Sequence, residues 1–340
     1  MLKFLETLQD QFRIKMQYGM EYTADLEKVK VGLTPRTLVM KNGGHCLYLY
    51  KGKKETNQPL LMIYSLINRP YIFDLRPGRS MIEYLCNQGF DVYLIDWSDP
   101  DKSSAHLTLE ELVNDTIHRF NKFILKKYSL SSINILGYCM GATFTVMYAG
   151  IHPELVNKIV LLTPPLGNDE GGLLQKIAAK INWKNKIASS GIISGRMLKL
   201  FFNSVRPIGT IKKERDFWAN YNQEKFMDNF LPVEKWSNDT PDLPGQVFFE
   251  ILDICFKNDL LKTGEIKIGQ SVIDFTKVKS DVLSVAAQHD WIVPCSSLET
   301  VKKVLPNANH QEYLLAGGHI GLVIGRSAST LWDKIIDFLE

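Results

Sequence analysis

A cysteine flanked by glycine two residues away on either side has the type and spacing of an enzymatic nucleophile. The segment ILGYCMGA sets Gly137, Cys139 and Gly141 in this pattern, where an apolar run gives way to a helical one. A sharp strand-to-helix turn exposes its central residue and needs small flanking residues, because larger ones would clash. The N-terminus of the following helix favours a thiolate at Cys139. The pattern predicts a nucleophile elbow, and a buried cysteine between turn glycines is the structural alternative.

Two downstream segments supply the partners that such a thiol needs. QHDWIVP sets Asp290 just after a β-rich run, and GGHIGL sets His319 in a loop after the last such run. A nucleophile needs a base within hydrogen-bond reach, and that base needs a group that orients it. The order nucleophile, acid, base is the order used in α/β hydrolases. We therefore predict catalytic roles for Cys139, Asp290 and His319, and expect the neighbouring His289 to point away along the extended chain.

Acyl transfer also requires N–H donors for the negative oxygen of a tetrahedral intermediate. The first predicted donor is the backbone N–H of Met140, the residue after the nucleophile, and the second lies in the loop after the first core strand. That loop reads Leu66-Ile67-Asn68, and we favour Ile67 as the oxyanion donor. Asn68 and Arg69 could instead simply fix the loop.

The elements that must position these residues follow from the pattern of apolar runs. Short apolar runs alternate with helical stretches over residues 59–165 and again over 276–340. The runs are PLLMIYSLI, DVYLID, INIL, KIVLLT, DVLSVAA and HQEYLL. Their near-continuous apolar character is typical of strands buried on both faces of a parallel sheet. We predict an α/β-hydrolase fold, with a mostly parallel, doubly wound sheet as the catalytic core.

Residues 166–275 interrupt this rhythm with helical patches and many aromatic residues. The segment has too many large apolar residues for a solvated loop. We predict a cap, or lid, that folds over Cys139 and leaves it almost inaccessible to solvent. Residues 1–58 are predicted to hold leading strands after an N-terminal helix, in which Leu2, Leu5 and Leu8 recur at helical spacing. That helix could pack on its own domain or bind a partner.

Composition excludes several classes of function. The 340 residues carry a formal net charge of +3, too small to argue for nucleic acid binding. No run approaches the roughly 18 apolar residues of a transmembrane segment. The five cysteines are odd in number and form no CxxC pair, which argues against a disulfide framework or a zinc site. We expect a cytoplasmic chain with reduced thiols and no metal or resident cofactor.

A cysteine in place of the usual serine suits transfer of acyl groups between thioesters and alcohols. Attack of a thiolate on a thioester exchanges one thioester for another, so the acyl-Cys stays activated and can acylate a hydroxyl. An enzyme that loads acyl groups from a CoA thioester would use this property. It must also exclude water, and an aromatic cap would help.

With these motifs in place, the sequence resembles a known family, the catalytic subunits of polyhydroxyalkanoate synthases, which polymerise 3-hydroxyacyl-CoA. The resemblance covers residues 59–325 and is carried by INRPYIFDLRPGRSMIEYL, GFDVYLIDWSDPD, LGYCMGA, EKWSNDTPDLPG, HDWIVP and GGHIGL. The nucleophile, aspartate and histidine of the family fall on Cys139, Asp290 and His319. The family's nucleophile box usually ends in two glycines, whereas here the second is Ala142, a small residue from which we expect little effect.

The resemblance carries further implications about partners. The core strands begin by about residue 60, without the large N-terminal domain of long synthases, which implies the short class that works with a second, unrelated subunit. It implies a hetero-oligomer at the surface of polymer granules, with 3-hydroxyacyl-CoA, most simply 3-hydroxybutyryl-CoA, as the substrate. CoA then enters as part of the substrate and not as a cofactor.

Two other hypotheses stay open. A cysteine thioesterase or dienelactone-hydrolase-like enzyme would use the same residues, and its product would be a free acid and not an insoluble polymer. A non-catalytic granule scaffold would have no need of Cys139, Asp290 and His319 together. Within the synthase hypothesis, Asp290 could orient His319 or help to deprotonate the attacking 3-hydroxyl.

Overall fold

The central element of the computed structural model is a mixed sheet. The structure describes residues 26–54, 58–100, 104–167, 180, 191–205, 207–325 and 327–340. Within these ranges the sheet has eight strands, β1 (Thr37–Asn42), β2 (His45–Tyr50), β3 (Gln58–Ile63), β4 (Phe90–Asp96), β5 (Ile133–Tyr138), β6 (Val156–Leu162), β7 (Asp281–Ala287) and β8 (Asn309–Leu315). Their order in space is β1-β2-β4-β3-β5-β6-β7-β8. The first two strands pair antiparallel with their neighbours, and the other pairs are parallel.

Helices cover both faces of this sheet, as the apolar strands require. The α-helices of the described residues are α1 (Met81–Gln88), α2 (His118–Tyr128), α3 (Met140–Ile151), α4 (Gly195–Val205), α5 (Pro207–Asn220), α6 (Glu224–Asn238), α7 (Gly245–Ile251), α8 (Ser297–Val304), α9 (Gly321–Ile324) and α10 (Ala328–Leu339). Buried residues of α2, α3 and α8 pack on one face. Those of α1, α9 and α10 pack on the other. The predicted doubly wound α/β-hydrolase fold is confirmed.

Helix α1 shows how local sequence sets the bounds of an element. The Oγ of Ser80 accepts a hydrogen bond from the N–H of Glu83, which satisfies one of the N–H groups that a helix start leaves unpaired. At the other end, Gly89 adopts a left-handed conformation, with φ 109°, and its N–H bonds back to the last turn. The serine and glycine that bracket the apolar stretch therefore fix where α1 begins and ends.

The described part of the predicted cap segment contains helices α4 to α7, which follow β6, and a short strand pair that joins Ile192–Ile193 to Leu243–Pro244. The hairpin of Glu265–Ile268 and Ser271–Asp274 lies on the core, because a Cβ built at Gly150 of α3 would be 2.4 Å from Ile273 Cγ2. The predicted cap of residues 166–275 thus ends in a hairpin packed on the core. The boundary of the cap stays a prediction.

The N-terminal part of the prediction is only partly covered by the structure. The leading strands expected within residues 1–58 occur as β1 and β2. The predicted N-terminal helix, with Leu2, Leu5, Leu8 and Phe12, lies outside the described residues. In the part of the chain that the structure covers, no helix is both long and apolar enough to cross a membrane.

A buried carboxylate ties the antiparallel edge of the sheet to α2. The side chain of Asp91 on β4 is 1% exposed, and it accepts hydrogen bonds from Lys51 Nζ at 2.7 Å and from the N–H of Gly52 at 2.8 Å. The hydroxyl of Tyr128 at the end of α2 also donates to it. Burial opposes ionisation of Asp91, but these three donors outweigh it and lower its pKa.

We expect Asp91→Asn to lower the free energy of unfolding by about 1–3 kcal/mol at neutral pH, because the new amide group faces donors. A group whose folded-state pKa is lowered stabilises the fold above its unfolded pKa and loses that effect as the pH falls through the folded value. The difference between wild type and variant should therefore be full above about pH 4 and shrink below it. Urea unfolding across this range measures it. Asp253→Asn, in an exposed helix pair with Lys257, is the control, and equal losses in both variants would contradict the prediction.

Candidate active site

Cys139 occupies a strained turn between β5 and α3. Its backbone has φ 54° and ψ −127°, a left-handed conformation that is unfavourable for a residue with a Cβ. The N–H of Cys139 donates to the carbonyl of Leu162 on β6 at 2.9 Å, which anchors the turn to the neighbouring strand. The thiol thus stands at the carboxyl end of the parallel strands, as a nucleophile elbow requires.

The two flanking glycines are needed for space. A Cβ at Gly137 would lie 2.5 Å from the Cα of Ala142, and one at Gly141 would lie 2.1 Å from the carbonyl oxygen of Ile63 on β3. Such distances force backbone to move, so neither position admits a larger residue. Ala142 is fully buried in the first turn of α3, and its N–H donates to the Cys139 carbonyl at 2.8 Å. The departure from the family's second glycine is accommodated in this turn.

The structure brings Asp290 and His319 together beside Cys139. Asp290 Oδ2 lies 2.6 Å from His319 Nδ1, and the Asp290 side chain is fully buried. Asp290 Oδ1 accepts hydrogen bonds from the N–H groups of Ile292 and Val293, at 2.8 and 3.0 Å. The imidazole also lies beside the Cys139 side chain, close enough to interact with it electrostatically. All three predicted residues therefore form one contiguous chain of contacts.

The electrostatics of the site favour a charged histidine. Burial on its own would lower the pKa of His319. The adjacent Cys139 and the Asp290 carboxylate act in the opposite direction more strongly, and they raise the pKa of His319 to about 10. The imidazole is then cationic at neutral pH.

Tyr138 is a positioning residue that the sequence did not reveal. Its hydroxyl donates to the backbone carbonyl of His319 at 3.2 Å, and its ring centroid lies 5.2 Å from the imidazole. It also stacks on Tyr64, at 5.7 Å between centroids. Burial raises the pKa of Tyr138 well above its usual value, so the hydroxyl stays a donor. The available signal was its position directly before the nucleophile, on the strand that ends at the site.

The two predicted oxyanion donors differ in whether another group already accepts a hydrogen bond from them. Met140 begins α3 directly after the nucleophile. The N–H of Ile67 lies in the predicted loop, but it donates to Ser65 Oγ at 3.0 Å in this structure. For this N–H to donate to an oxyanion, the Ser65 hydroxyl must rotate away, or the N–H must divide its hydrogen bond between the two oxygens. The assignment of Met140 and Ile67 stays a prediction.

Two other sequence expectations have clear outcomes. His289 is exposed, and its backbone N–H donates to the Gly317 carbonyl, so it does not lie between Asp290 and His319.

Cys139 is partly exposed, so the expectation of an almost inaccessible nucleophile is wrong for this structure. Residues 168–179 and 181–190 of the predicted cap lie outside the described residues. Among the described residues, no cluster of metal-ligating side chains occurs.

Alkylation of Cys139 should depend on His319 as its base. Iodoacetamide reacts with thiolates, so its rate reports how readily Cys139 gives its proton to the imidazole. His319→Gln should slow alkylation of Cys139 at about pH 7 by tenfold or more, and His289→Gln should leave it unchanged. Peptide mass spectrometry separates Cys139 from the other four cysteines. Equal alkylation rates in His319→Gln and the wild type would refute the role of His319.

Comparison with known proteins adds family membership to this geometry. Residues 58–324 match the model of the α/β-hydrolase fold, and residues 2–85 match that of the poly-β-hydroxybutyrate polymerase (PhaC) N-terminus. Solved structures with the same fold include a putative lipase from Sulfolobus solfataricus. The two sequences are 14% identical, the TM-score is 0.57, and the match covers 90% of this chain and 98% of the lipase chain. At such low identity the likeness shows the fold alone.

Curated relatives are closer in sequence. The poly(3-hydroxyalkanoate) polymerase subunit PhaC of Haloferax mediterranei is 32% identical over 92% of this chain, which spans 65% of that protein. The subunits of the same name from Allochromatium vinosum and Synechocystis are each 30% identical over 92% of this chain, which spans 90% and 86% of them. Together with the fold and the elbow cysteine, these matches show that the chain belongs to the poly(3-hydroxyalkanoate) polymerase family as a PhaC-type subunit.

Proposed function

We propose that this chain polymerises 3-hydroxyacyl-CoA, most simply 3-hydroxybutyryl-CoA, into polyhydroxyalkanoate with release of CoA. The acyl group is carried on Cys139 as a covalent thioester. The observation that carries the proposal is the thiol itself, held in a strained elbow against a buried His319–Asp290 pair, in a member of the polymerase family. A cysteine there keeps the acyl group activated for attack by a hydroxyl.

In the acylation step, the Cys139 thiolate attacks the thioester carbonyl of the acyl-CoA. The negative oxygen of the tetrahedral intermediate is stabilised by the Met140 N–H and by a second donor in the loop after β3. Collapse of the intermediate breaks the bond to the CoA sulfur, and the His319 imidazolium gives its proton to that leaving thiolate. The products are acyl-Cys139, free CoA and a neutral imidazole.

In the transfer step, a 3-hydroxyl attacks acyl-Cys139, and neutral His319 takes the hydroxyl proton. The contacts of Asp290 favour a role in orienting His319 over direct removal of the hydroxyl proton by Asp290. One of its oxygens is committed to His319 and the other to two backbone N–H groups, and the carboxylate is sealed from solvent. A new ester bond forms, and the Cys139 thiolate and the imidazolium are restored.

The nearest alternative is hydrolysis by the same residues, as a cysteine thioesterase would perform it. The two functions differ only in whether water or a 3-hydroxyl attacks acyl-Cys139. Cys139 is partly exposed, so exclusion of water depends on the seated substrate and the cap. The product decides between them.

The nucleophile assignment is tested with 3-hydroxybutyryl-CoA, following CoA release and turbidity together. We expect wild type to give both signals and to gain the mass of an acyl group on Cys139. Cys139→Ala should lower CoA release by at least about a thousandfold, as losses of a catalytic triad member do. The matched control is Cys46→Ala, another partly exposed cysteine, which lies on β2 and bonds to the Gly44 carbonyl. CoA release with free acid and no turbidity would establish the hydrolase instead.

A second subunit is part of the proposal, supported by relatives that are named polymerase subunits. A granule location is also proposed, because the product is an insoluble polymer. Partner binding would activate the chain if the partner binds one arrangement of the cap more tightly than the others. We expect the chain alone to show weak activity with a lag, and co-expression with the partner subunit to remove the lag and raise the rate about a hundredfold. Granule association would follow in the cells that make the polymer. Equal progress curves with and without the partner would show the chain to be self-sufficient.

A further inference from the structure

The loop that follows β3 is held by a distant part of the chain. We call Leu66–Tyr71 the β3 loop, and Trp236–Thr240, at the end of α6, the tether. Nε1 of Trp236 donates to the Arg69 carbonyl at 2.8 Å. The amide of Asn68 donates to the Trp236 carbonyl at 3.2 Å and accepts from the Thr240 hydroxyl at 3.3 Å. Both the backbone and the side chains of the loop are thus fixed by the tether.

Charged contacts strengthen the same junction. Arg69 Nε donates to Asp239 Oδ1 at 3.1 Å, and the other end of the guanidinium reaches Asp99, after β4, at 2.7 Å. The Tyr71 hydroxyl donates to Asp239 Oδ2 at 3.1 Å. A planar guanidinium can bridge two carboxylates in fixed directions, which an ammonium cannot do. Arg69 therefore links the β3 loop to both the core and the tether.

Backbone strain lies inside this junction. Asn68 has φ 64°, a left-handed conformation that costs energy for a residue other than glycine and persists only where its surroundings impose it. It directly follows Ile67, the predicted oxyanion donor. Two residues before the loop, the backbone of Tyr64 packs on the elbow, where a Cβ on Gly141 would lie 2.8 Å from the Tyr64 carbonyl carbon. The loop is thus held between the elbow and the tether.

We infer that the tether sets the position of the second oxyanion donor, and that Arg69 and Asp239 are positioning residues for acyl transfer. The inference rests on the proposed function. Oxyanion donors act through geometry, because they must lie about 3 Å from the oxygen as its charge develops. Neither residue reaches the reacting atoms, so their effect passes through the backbone of the β3 loop. Movement of α6 would then change the acylation rate without altering Cys139, His319 or Asp290.

The test separates acylation from thiol reactivity. Acylation of Cys139 by 3-hydroxybutyryl-CoA creates an oxyanion, whereas alkylation of the same thiol by iodoacetamide does not. We expect Asp239→Ala to slow single-turnover CoA release by about 10–100-fold, part of the 10²–10³-fold that a whole donor contributes. KM should change little, and the rate and pH profile of Cys139 alkylation should be unchanged. Asp239→Glu should recover part of the acylation rate.

A second test variant and a control variant complete the experiment. Arg69→Lys keeps the charge but cannot bridge both carboxylates, so it should give the same split between acylation and alkylation in a milder form. Arg215→Met is the control, because it breaks the exposed ion pair between Arg215 and Asp216 of α5, which belongs to neither the tether nor the β3 loop. That control should acylate at the wild-type rate.

The outcomes are distinct. Normal acylation in both Asp239→Ala and Arg69→Lys would overturn the inference, as would acylation and alkylation falling together, since that pattern indicates general disruption of the site. If wild-type protein fails to form acyl-Cys139 at all, the proposed function fails, and the positioning role fails with it. Wild-type acylation with insensitive tether variants overturns the positioning role alone.

Discussion

The backbone conformation of Cys139 is the constraint on which the remainder of the structure depends. A residue with a Cβ is held at φ 54°, and such a conformation survives only where the surroundings leave no other choice. The choice is removed by contacts on three sides: the Leu162 carbonyl on β6, the first turn of α3, and the end of β3 beside Gly141. The conformation that exposes the Cys139 thiol therefore depends on the order of the central strands, which places β3 and β6 on either side of β5.

That constraint explains why the sequence was informative about the core. A strained elbow demands glycine at two fixed positions, and buried parallel strands demand runs of apolar residues, so both leave a local record. The predicted strands and the places of Cys139, Asp290 and His319 could be read from such records. Gly150 is a similar case in retrospect, since its lack of a side chain admits the hairpin that holds Ile273.

Other features leave no local record, because they depend on residues far apart in sequence. The bond from Tyr138 to the His319 carbonyl joins residues 181 positions apart, and the contacts of Asn68 with the tether span 168 and 172 positions. The engagement of the Ile67 N–H by Ser65 is close in sequence, but it depends on a rotamer that no pattern specifies. The exposure of Cys139 was misjudged for a related reason. Abundant aromatic residues indicate that a segment packs, but not on what, and several of them pack on one another within α5 and α6 and between these helices.

The long separation between Tyr138 and His319 has a consequence for synthesis of the chain. The nucleophile and its strand are made well before β7, β8 and the loop that carries His319, and a chain emerges from its N-terminus. Until those last elements dock, Cys139 has neither a cation beside it nor the Asp290 pair behind that cation. An incomplete chain on the ribosome therefore holds Cys139 without the histidine and carboxylate of the site. The three residues come together only when the C-terminal strands close the sheet.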